Sequence, residues 1–232
     1  MAKASKTPFN IAMLGKTGYG KTSSANTILG RKAFEESTSA TVGTRLPSSH
    51  SSDYKEFKVT VFDLPGTCDA RYDEKLGQKK SCQQILDVVE AGEEVDVFLL
   101  VLSYSSRWSR EDSNTVDLVK KILGRDFIKQ HCILVITHWD NALDEGVQSF
   151  ESWLVNQSPQ LKELVAECQD RYVVFDNKTS DEAERDEYRR KLLELAISMA
   201  KDKPKYKVAD LKKNSREHDK LLQQSDHWCV II

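Results

Sequence analysis

A glycine-rich loop between a predicted strand and a predicted helix carries the strongest chemical signal in the sequence. Residues 15–22 are Gly-Lys-Thr-Gly-Tyr-Gly-Lys-Thr, that is, Gly, four free positions and then Gly-Lys-Thr. An apolar run at residues 11–14 precedes this loop, and a helix-like stretch at residues 23–29 follows it. Such an arrangement directs several backbone N–H groups and the positive end of a helix dipole at one point. The pattern predicts a phosphate-binding loop in which Lys21 reaches the β- and γ-phosphates and Thr22 binds Mg²⁺.

A second motif, Asp63-Leu64-Pro65-Gly66, follows the apolar run at residues 59–62. A carboxylate at a strand end opposite a phosphate loop suits a water-mediated Mg²⁺ ligand, so Asp63 is a predicted metal residue. Gly66 is predicted to present its N–H group to a γ-phosphate. Asp-x-x-Gly alone is a common turn, and only its place behind a strand and downstream of the phosphate loop gives it weight.

A third motif, Thr137-His138-Trp139-Asp140, follows the apolar run at residues 133–136. The Asp140 carboxylate can accept hydrogen bonds from both the N1–H and the exocyclic amine of guanine, a donor pair that adenine lacks. His138 can lie flat over the base. Alone, this motif would equally suit a helix N-cap and a surface histidine. Asn177 and Lys178 come after a further run, at residues 172–175, where a loop could close over the guanine edge.

The elements that must position these residues alternate between strand-sized apolar runs and helix-period segments. The runs are residues 9–14, 59–62, 97–102, 133–136 and 172–175. Ser109 to Asp112 form a capping box that begins a helix ending at Leu123. A long helix with its inner face at residues 188, 192, 195 and 199 is expected to end near Lys201. This alternation predicts an α/β fold with a mostly parallel sheet covered on both faces.

Length and composition suit one globular domain with a charged appendage. The chain has 232 residues, 39% hydrophobic and 30% charged, and we expect a lead at residues 1–8, a nucleotide-binding domain at 9–201 and a mobile charged tail at 202–232. The net charge of −2 provides no general attraction for nucleic acid, so no nucleic-acid partner is expected. No signal segment or bilayer-spanning run is found, and five scattered cysteines indicate reduced thiols in a cytosolic protein.

The chain ends Cys229-Val230-Ile231-Ile232, which is a prenylation box. A terminal Ile resembles the Leu class, which favours geranylgeranyl over farnesyl. Residues 201–226 carry eight Lys or Arg and five Asp or Glu, so their net charge of +3 gives a modest second signal for anionic lipid. We therefore expect a lipidated, carboxyl-methylated Cys229 that holds the protein on the cytosolic face of a membrane. The alternative is an unmodified apolar end.

Together these motifs resemble those of the GIMAP family, the immunity-associated, AIG-type GTPases related to septins and the Toc GTPases. The resemblance rests on residues 14–34, 63–66, 137–140 and 177–178, and on a family box at residues 103–116. It covers residues 9–200 and implies a three-layer P-loop GTPase domain whose mostly parallel sheet has six strands.

The resemblance also implies the cofactors, GTP or GDP and Mg²⁺, and the residues that hold them. Those implied to hold the phosphates and metal are Gly18, Tyr19, Gly20, Lys21, Thr22 and Ser23. Those implied to hold guanine are His138, Asp140, Asn177 and Lys178. The switch threonine, a metal and γ-phosphate ligand, is assigned to Thr44 in the Ser/Thr-rich stretch at residues 30–50, with Thr41 close behind.

Hydrolysis is less directly specified. Thr67 stands where Ras-like enzymes place a water-orienting Gln, so that route is missing. Arg107 matches an arginine that reaches across a nucleotide-dependent dimer in some GIMAP proteins, and such a group contributes about 10³–10⁵ in rate. A solvated arginine before a helix cap is the alternative. The leading prediction is a slow GTPase switch stimulated by homodimerisation; the others are a GTP-regulated membrane scaffold with little hydrolysis, and a P-loop kinase or ATPase.

Overall fold

A six-stranded sheet organises the computed structural model, which describes residues 5–35, 48–64, 94–201, 203–207, 209–210 and 213–214. The strands are β1 (Thr7–Leu14), β2 (Ser48–Tyr54), β3 (Phe57–Asp63), β4 (Glu94–Val95), β5 (Val97–Ser103), β6 (Cys132–Thr137), β7 (Tyr172–Val174) and β8 (Tyr206–Lys207). The large sheet has the order β2-β3-β1-β5-β6-β7, and only β2 runs antiparallel to its neighbour. All five runs expected to be strands are strands.

Parallel pairing brings the functional motifs to one edge of this sheet. Met13 at the end of β1 is in register with Asp63 at the end of β3. Ser103 at the end of β5 is in register with Thr137 at the end of β6. Because parallel strands all end on the same side, the strand ends that carry these motifs lie at one edge, as in other open α/β sheets.

Helices cover both faces of the sheet. They are α1 (Lys21–Leu29), α2 (Arg110–Leu123), α3 (Phe127–His131), α4 (Trp139–Asp144), α5 (Phe150–Val155), α6 (Pro159–Glu167) and α7 (Glu182–Lys201). Helices α1 and α7 pack on one face, and α2 to α6 pack on the other. Strand β1 shows why its sequence is apolar throughout: Ala12 and Leu14 enter one core, whereas Ile11 and Met13 enter the other. The predicted three-layer architecture is confirmed.

The capping box of α2 forms as expected. The Ser109 hydroxyl accepts a hydrogen bond from the Asp112 N–H, and the Asp112 carboxylate accepts one from the Ser109 N–H. Gly124 ends the helix with a φ of 112°. The cap fixes the point at which the chain leaves the preceding loop at residues 104–109, which we call the bridging loop.

Two elements differ from the sequence interpretation. Residues 48–50, which were expected in a switch stretch, belong to edge strand β2, a polar strand without the apolar alternation that marks a buried strand. Tyr206, which was expected in the mobile tail, is 3% exposed, and its strand β8 pairs with β4. The packed domain therefore extends beyond Lys201. Among the described helices, none has the length and apolar character needed to cross a membrane.

Candidate nucleotide-binding site

The glycine loop at residues 15–22 has a backbone that its glycines alone permit. Gly15, Gly18 and Gly20 have φ angles of 139°, 84° and 80°, values that side-chain-bearing residues rarely adopt. A Cβ on Gly15 would lie 2.5 Å from the Val101 carbonyl oxygen, and one on Gly20 would lie 3.3 Å from the Thr137 side chain. The N-cap residue of α1 is Gly20, which has no side chain with which to cap the helix. The first N–H groups of α1 therefore suit an anion.

Lys21 is enclosed by this loop. Its side chain is 7% exposed, and Nζ donates hydrogen bonds of 2.9 Å to the carbonyl oxygens of Gly15 and Lys16. Burial lowers the pKa of Lys21 to about 8, while the Asp63 carboxylate opposes this shift. An anion beside the ammonium would restore a normal pKa, so the loop fits a phosphate.

The two described residues predicted to bind metal meet at the ends of α1 and β3. The Thr22 hydroxyl donates a 2.7 Å hydrogen bond to the Asp63 Oδ2. Magnesium binds oxygen ligands and retains several waters. A hydroxyl ligand beside a carboxylate that can bind one of those waters therefore suits it. Thr44, the third predicted metal ligand, lies outside the described residues. Clusters of three or more His, Cys, Asp or Glu that could hold a metal are absent from the part of the chain that the structure describes.

Asp140 stands at the start of α4 with half of its hydrogen-bonding capacity unused. Its Oδ1 is buried and has no hydrogen-bond partner among the described residues, whereas Oδ2 accepts a 2.5 Å bond from the Lys178 ammonium. A buried carboxylate oxygen without a donor is costly, so this atom suits the N–H group of a ligand. Lys178 itself is 66% exposed. Two of the four residues predicted to hold guanine thus meet in an ion pair.

His138 precedes Asp140 in a left-handed conformation with a φ of 56°. Its Nδ1 lies 2.9 Å from the Ser103 hydroxyl and 3.1 Å from the Thr137 hydroxyl. The imidazole is therefore held at the ends of β5 and β6. Its predicted place over a base remains a prediction.

Asn177 is brought to the same edge, but its amide binds α1. Nδ2 donates a 2.9 Å hydrogen bond to the Ser24 hydroxyl, and Oδ1 accepts a 2.9 Å bond from the Thr27 hydroxyl. These two hydroxyls lie three residues apart on one face of α1, a spacing that sequence reasoning did not connect with Asn177. In this structure Asn177 ties the loop after β7 to α1, and its contact with guanine stays a prediction.

Thr137 is a site residue that the sequence marked only as the first position of a motif. It is fully buried, and its hydroxyl donates to the Tyr19 carbonyl oxygen at 2.7 Å. This bond fixes the glycine loop to the end of β6, next to Gly20. A backbone partner 118 residues away in the sequence leaves no local signal that could have revealed it.

Arg107 lies on the bridging loop and is exposed. Its predicted role across a dimer is compatible with this position on the surface. Several other predicted residues lie outside the described part of the chain: Thr41, Thr44, Gly66, Thr67 and Cys229.

Comparison with known proteins agrees with this geometry. The model of the AIG1 family matches residues 9–226, which is nearly the whole chain. The chain belongs to the AIG1 family. The resemblance drawn from the motifs is thereby confirmed.

Similar proteins include two from Arabidopsis thaliana. Immune-associated nucleotide-binding protein 7 is 31% identical over 202 residues, which cover 86% of this chain and 63% of the relative. Immune-associated nucleotide-binding protein 10 is 33% identical over 186 residues, which cover 79% of this chain and 39% of the relative. The chain therefore spans less than two thirds of the length of these relatives.

Solved structures share the fold at low sequence identity. Toc33 from Arabidopsis thaliana in complex with GDP and Mg²⁺ has a TM-score of 0.54 and 17% identity, over 83% of this chain and 85% of Toc33. Era from Aquifex aeolicus bound to GDP and AlF₄⁻ has a TM-score of 0.55 and 19% identity, over 85% of this chain and 57% of Era. These similarities show that the chain has the P-loop GTPase fold.

Proposed function

We propose that this AIG1-family protein is a Mg²⁺-dependent switch that binds GTP and GDP. The observation that carries the proposal is the buried, unpartnered Oδ1 of Asp140 at the same sheet edge as the enclosed Lys21. One end of the site thus offers an anionic acceptor for a base, and the other offers a cation and helix N–H groups for phosphates. Guanine presents two adjacent donors to such an acceptor, and adenine does not.

Each protein group has a definite task in this proposal. Lys21 and the N–H groups of the glycine loop would hold the phosphates, and Thr22 and Asp63 would hold the metal, which the Asp63 carboxylate would reach through water. When bound, Mg²⁺ supplies positive charge that neutralises the β- and γ-phosphate oxygens. Asp140 accepts hydrogen bonds from guanine, either after Lys178 has moved aside or while Lys178 stays bound to the same carboxylate. Thr44 and Gly66 would complete the γ-phosphate contacts.

A nucleotide competition titration tests base selection. A fluorescent GDP derivative is displaced from the purified protein by GTP, GDP or ATP in Mg²⁺ buffer. We expect GTP and GDP to compete at least about 100-fold better than ATP, because ATP leaves the Asp140 carboxylate unsatisfied. Equal competition by ATP would reject the guanine assignment and favour a P-loop kinase or ATPase.

We further propose that GTP hydrolysis is slow in the monomer and is stimulated by homodimerisation through Arg107. Two observations on similar folds support this. Dimerization is important for the GTPase activity of the chloroplast translocon components atToc33 and psToc159. A Toc33 mutant in which one arginine is replaced by alanine is dimerization-deficient. The exposed Arg107 of this chain is free to reach a partner, where a guanidinium stabilises the charge that develops on the γ-phosphate.

Turnover per molecule, measured across a range of protein concentrations, tests this mechanism. We expect turnover to rise with concentration, and the rise to disappear in Arg107→Ala. Arg110→Ala, which removes another exposed arginine three residues later, is the matched control. Flat turnover in the wild-type protein would support the alternative, a GTP-regulated membrane scaffold that oligomerises with little or no hydrolysis.

The membrane location is also a proposal. The terminal Cys229-Val230-Ile231-Ile232 supports a prenylated and carboxyl-methylated Cys229 on a cytosolic membrane face. The intact mass of the protein from a eukaryotic host tests this. We expect loss of the last three residues and gain of one isoprenoid in the wild type, and neither change in Cys229→Ser. Retention of all three residues in the wild type would contradict the proposal.

A further inference from the structure

The bridging loop at residues 104–109 contacts the base side of the candidate site. The Tyr104 N–H donates a 3.0 Å hydrogen bond to the Thr137 carbonyl oxygen. The Asn141 side chain donates a 2.5 Å bond to the Ser105 hydroxyl. One end of the loop that carries Arg107 is therefore tied to the start of α4, next to the predicted guanine contacts.

The other end of the loop is tied to the phosphate side through the first turn of α2. The Tyr19 hydroxyl, in the middle of the glycine loop, donates a 2.9 Å hydrogen bond to Asp112 Oδ1. The Lys16 ammonium lies 3.4 Å from the same oxygen and 3.0 Å from Glu111 Oε2. Lys16 also lies 5.1 Å from the centre of the Tyr19 ring. Two side chains of the glycine loop thus contact two carboxylates of α2.

Asp112 binds both this cluster and the bridging loop. Its second oxygen, Oδ2, accepts from the Ser109 N–H at 2.8 Å and from the Ser109 hydroxyl at 2.7 Å. The side chain is 4% exposed. A single buried carboxylate therefore joins the glycine loop to a residue only two positions after Arg107. Burial raises the pKa of Asp112, but the bonds from Ser109 and Tyr19 outweigh it, so the carboxyl stays ionised at neutral pH.

We propose that Asp112 is a positioning residue that couples occupancy of the glycine loop to the conformation of the bridging loop and its Arg107. This inference rests on the proposed nucleotide-binding function. An anion that binds the glycine loop orients the backbone of that loop, which includes Lys16 and Tyr19. Any shift of these side chains changes the donors to Asp112 Oδ1, while Oδ2 holds Ser109. Coupling of this kind is reciprocal, so the bridging loop also affects nucleotide affinity.

Hydrogen exchange in the bridging loop measures the coupling without requiring a dimer. The amides of residues 105–109 are followed by mass spectrometry at low protein concentration, with Mg²⁺ and with or without the GTP analogue GMPPNP. We expect GMPPNP to slow exchange by about tenfold in the wild type. In Asp112→Asn the slowing should fall to less than about twofold at saturating GMPPNP, because the neutral amide cannot accept all four donors. Asp117→Asn, an exposed site on the same helix, is the matched control and should keep the wild-type ratio.

A second variant covers the case in which Asp112→Asn does not fold. Tyr19→Phe removes one hydroxyl from the cluster, and we expect it to reduce the wild-type slowing about threefold. A purely structural capping role for Asp112 would lower the melting temperature but leave the ratio between the two nucleotide states unchanged. An unchanged ratio in Asp112→Asn and Tyr19→Phe, or an equal loss in Asp117→Asn, overturns the inference. Wild-type protein that binds GMPPNP without slower exchange overturns this inference alone, whereas wild-type protein that fails to bind GMPPNP overturns the proposed function as well.

Discussion

Replacing Asp140 by Asn should change the base that the protein prefers. In the structure, the Asp140 Oδ1 is buried without a partner among the described residues, and Oδ2 binds Lys178. Both oxygens can accept from the N1–H and the exocyclic amine of guanine. Asparagine has nearly the same shape, but it offers one acceptor and one donor. Its NH₂ group would face the guanine amine, so a favourable contact becomes a contact between two donors. Xanthine has a carbonyl oxygen at that position and would accept from the new NH₂ group.

The size of the effect follows from the hydrogen bonds exchanged. Hydrogen bonds to a charged group are worth about 1.5–3 kcal/mol each, so the Asp140 pair contributes about 3–6 kcal/mol to guanine binding. The variant retains one neutral bond, worth about 1 kcal/mol, and adds an unsatisfied donor. We therefore expect GDP affinity to fall by about 10²–10⁴-fold in Asp140→Asn. Xanthosine diphosphate should bind this variant at least about tenfold better than GDP does.

Competition against a fluorescent nucleotide, with GDP and xanthosine diphosphate as competitors, measures both affinities. Asp144→Asn, which changes an exposed carboxylate on the same helix, is the control and should keep the preference for GDP. Thermal unfolding without nucleotide should show that Asp140→Asn is folded, since the exposed Lys178 is the one described residue that loses an ion partner. A folded Asp140→Asn protein that still prefers GDP to xanthosine diphosphate would refute the assignment of Asp140 to the base.

Three further predictions concern the pH dependence of GDP binding, the anchoring of α1 by Arg189 and the stability of the fold in acid. Because the pKa of Lys21 is about 8 without a phosphate and should rise when one binds, GDP affinity should fall about tenfold between pH 7 and 9, measured by calorimetric titration. Arg189 donates to the Ile28 carbonyl oxygen in the last turn of α1 and to a carbonyl oxygen of β2, so Arg189→Met should lower the free energy of unfolding in urea by about 1–3 kcal/mol. Arg190 forms exposed ion pairs within α7, so Arg190→Met should lower it by less than about 1 kcal/mol. Burial lowers the pKa of His131 to about 4, so the unfolded state binds more protons than the folded state between pH 6.5 and 4. As the pH is lowered from 6.5 to 4, the free energy of unfolding should therefore fall by about 2 kcal/mol in the wild type and by less in His131→Phe.

The sequence determined the parts of the site that depend on neighbours along the chain. The glycine loop needs φ angles that glycine alone adopts readily, and the apolar runs around it must be strands buried on both faces. The capping box of α2 is likewise complete within the residues from Ser109 to Asp112. Because these motifs follow parallel strands, their meeting at one sheet edge was predictable as well.

Edge and tail elements could not be predicted from local pattern. Strand β2 is polar because an edge strand buries little, and it pairs through its backbone with β3. Its carbonyl oxygens at Ser51 and Asp53 are covered by Arg31 and Arg189, which protects the edge from pairing with another chain. Tyr206 lies among charged residues in the sequence, so its burial was visible only in the tertiary structure.

What the tertiary structure alone decided is which polar side chains bind one another. The sequence indicated Asp140, Lys178 and Asn177 as guanine-binding residues. In the structure, Asp140 and Lys178 bind each other, and Asn177 binds two hydroxyls of α1. The sequence named Tyr19 and Asp112 in separate motifs, 93 residues apart, and only the folded chain joins them. Backbone preference and apolar periodicity act over a few residues and are therefore encoded locally. A hydrogen bond between loops depends on the position of every element that carries them, and that information exists only after the strands have paired.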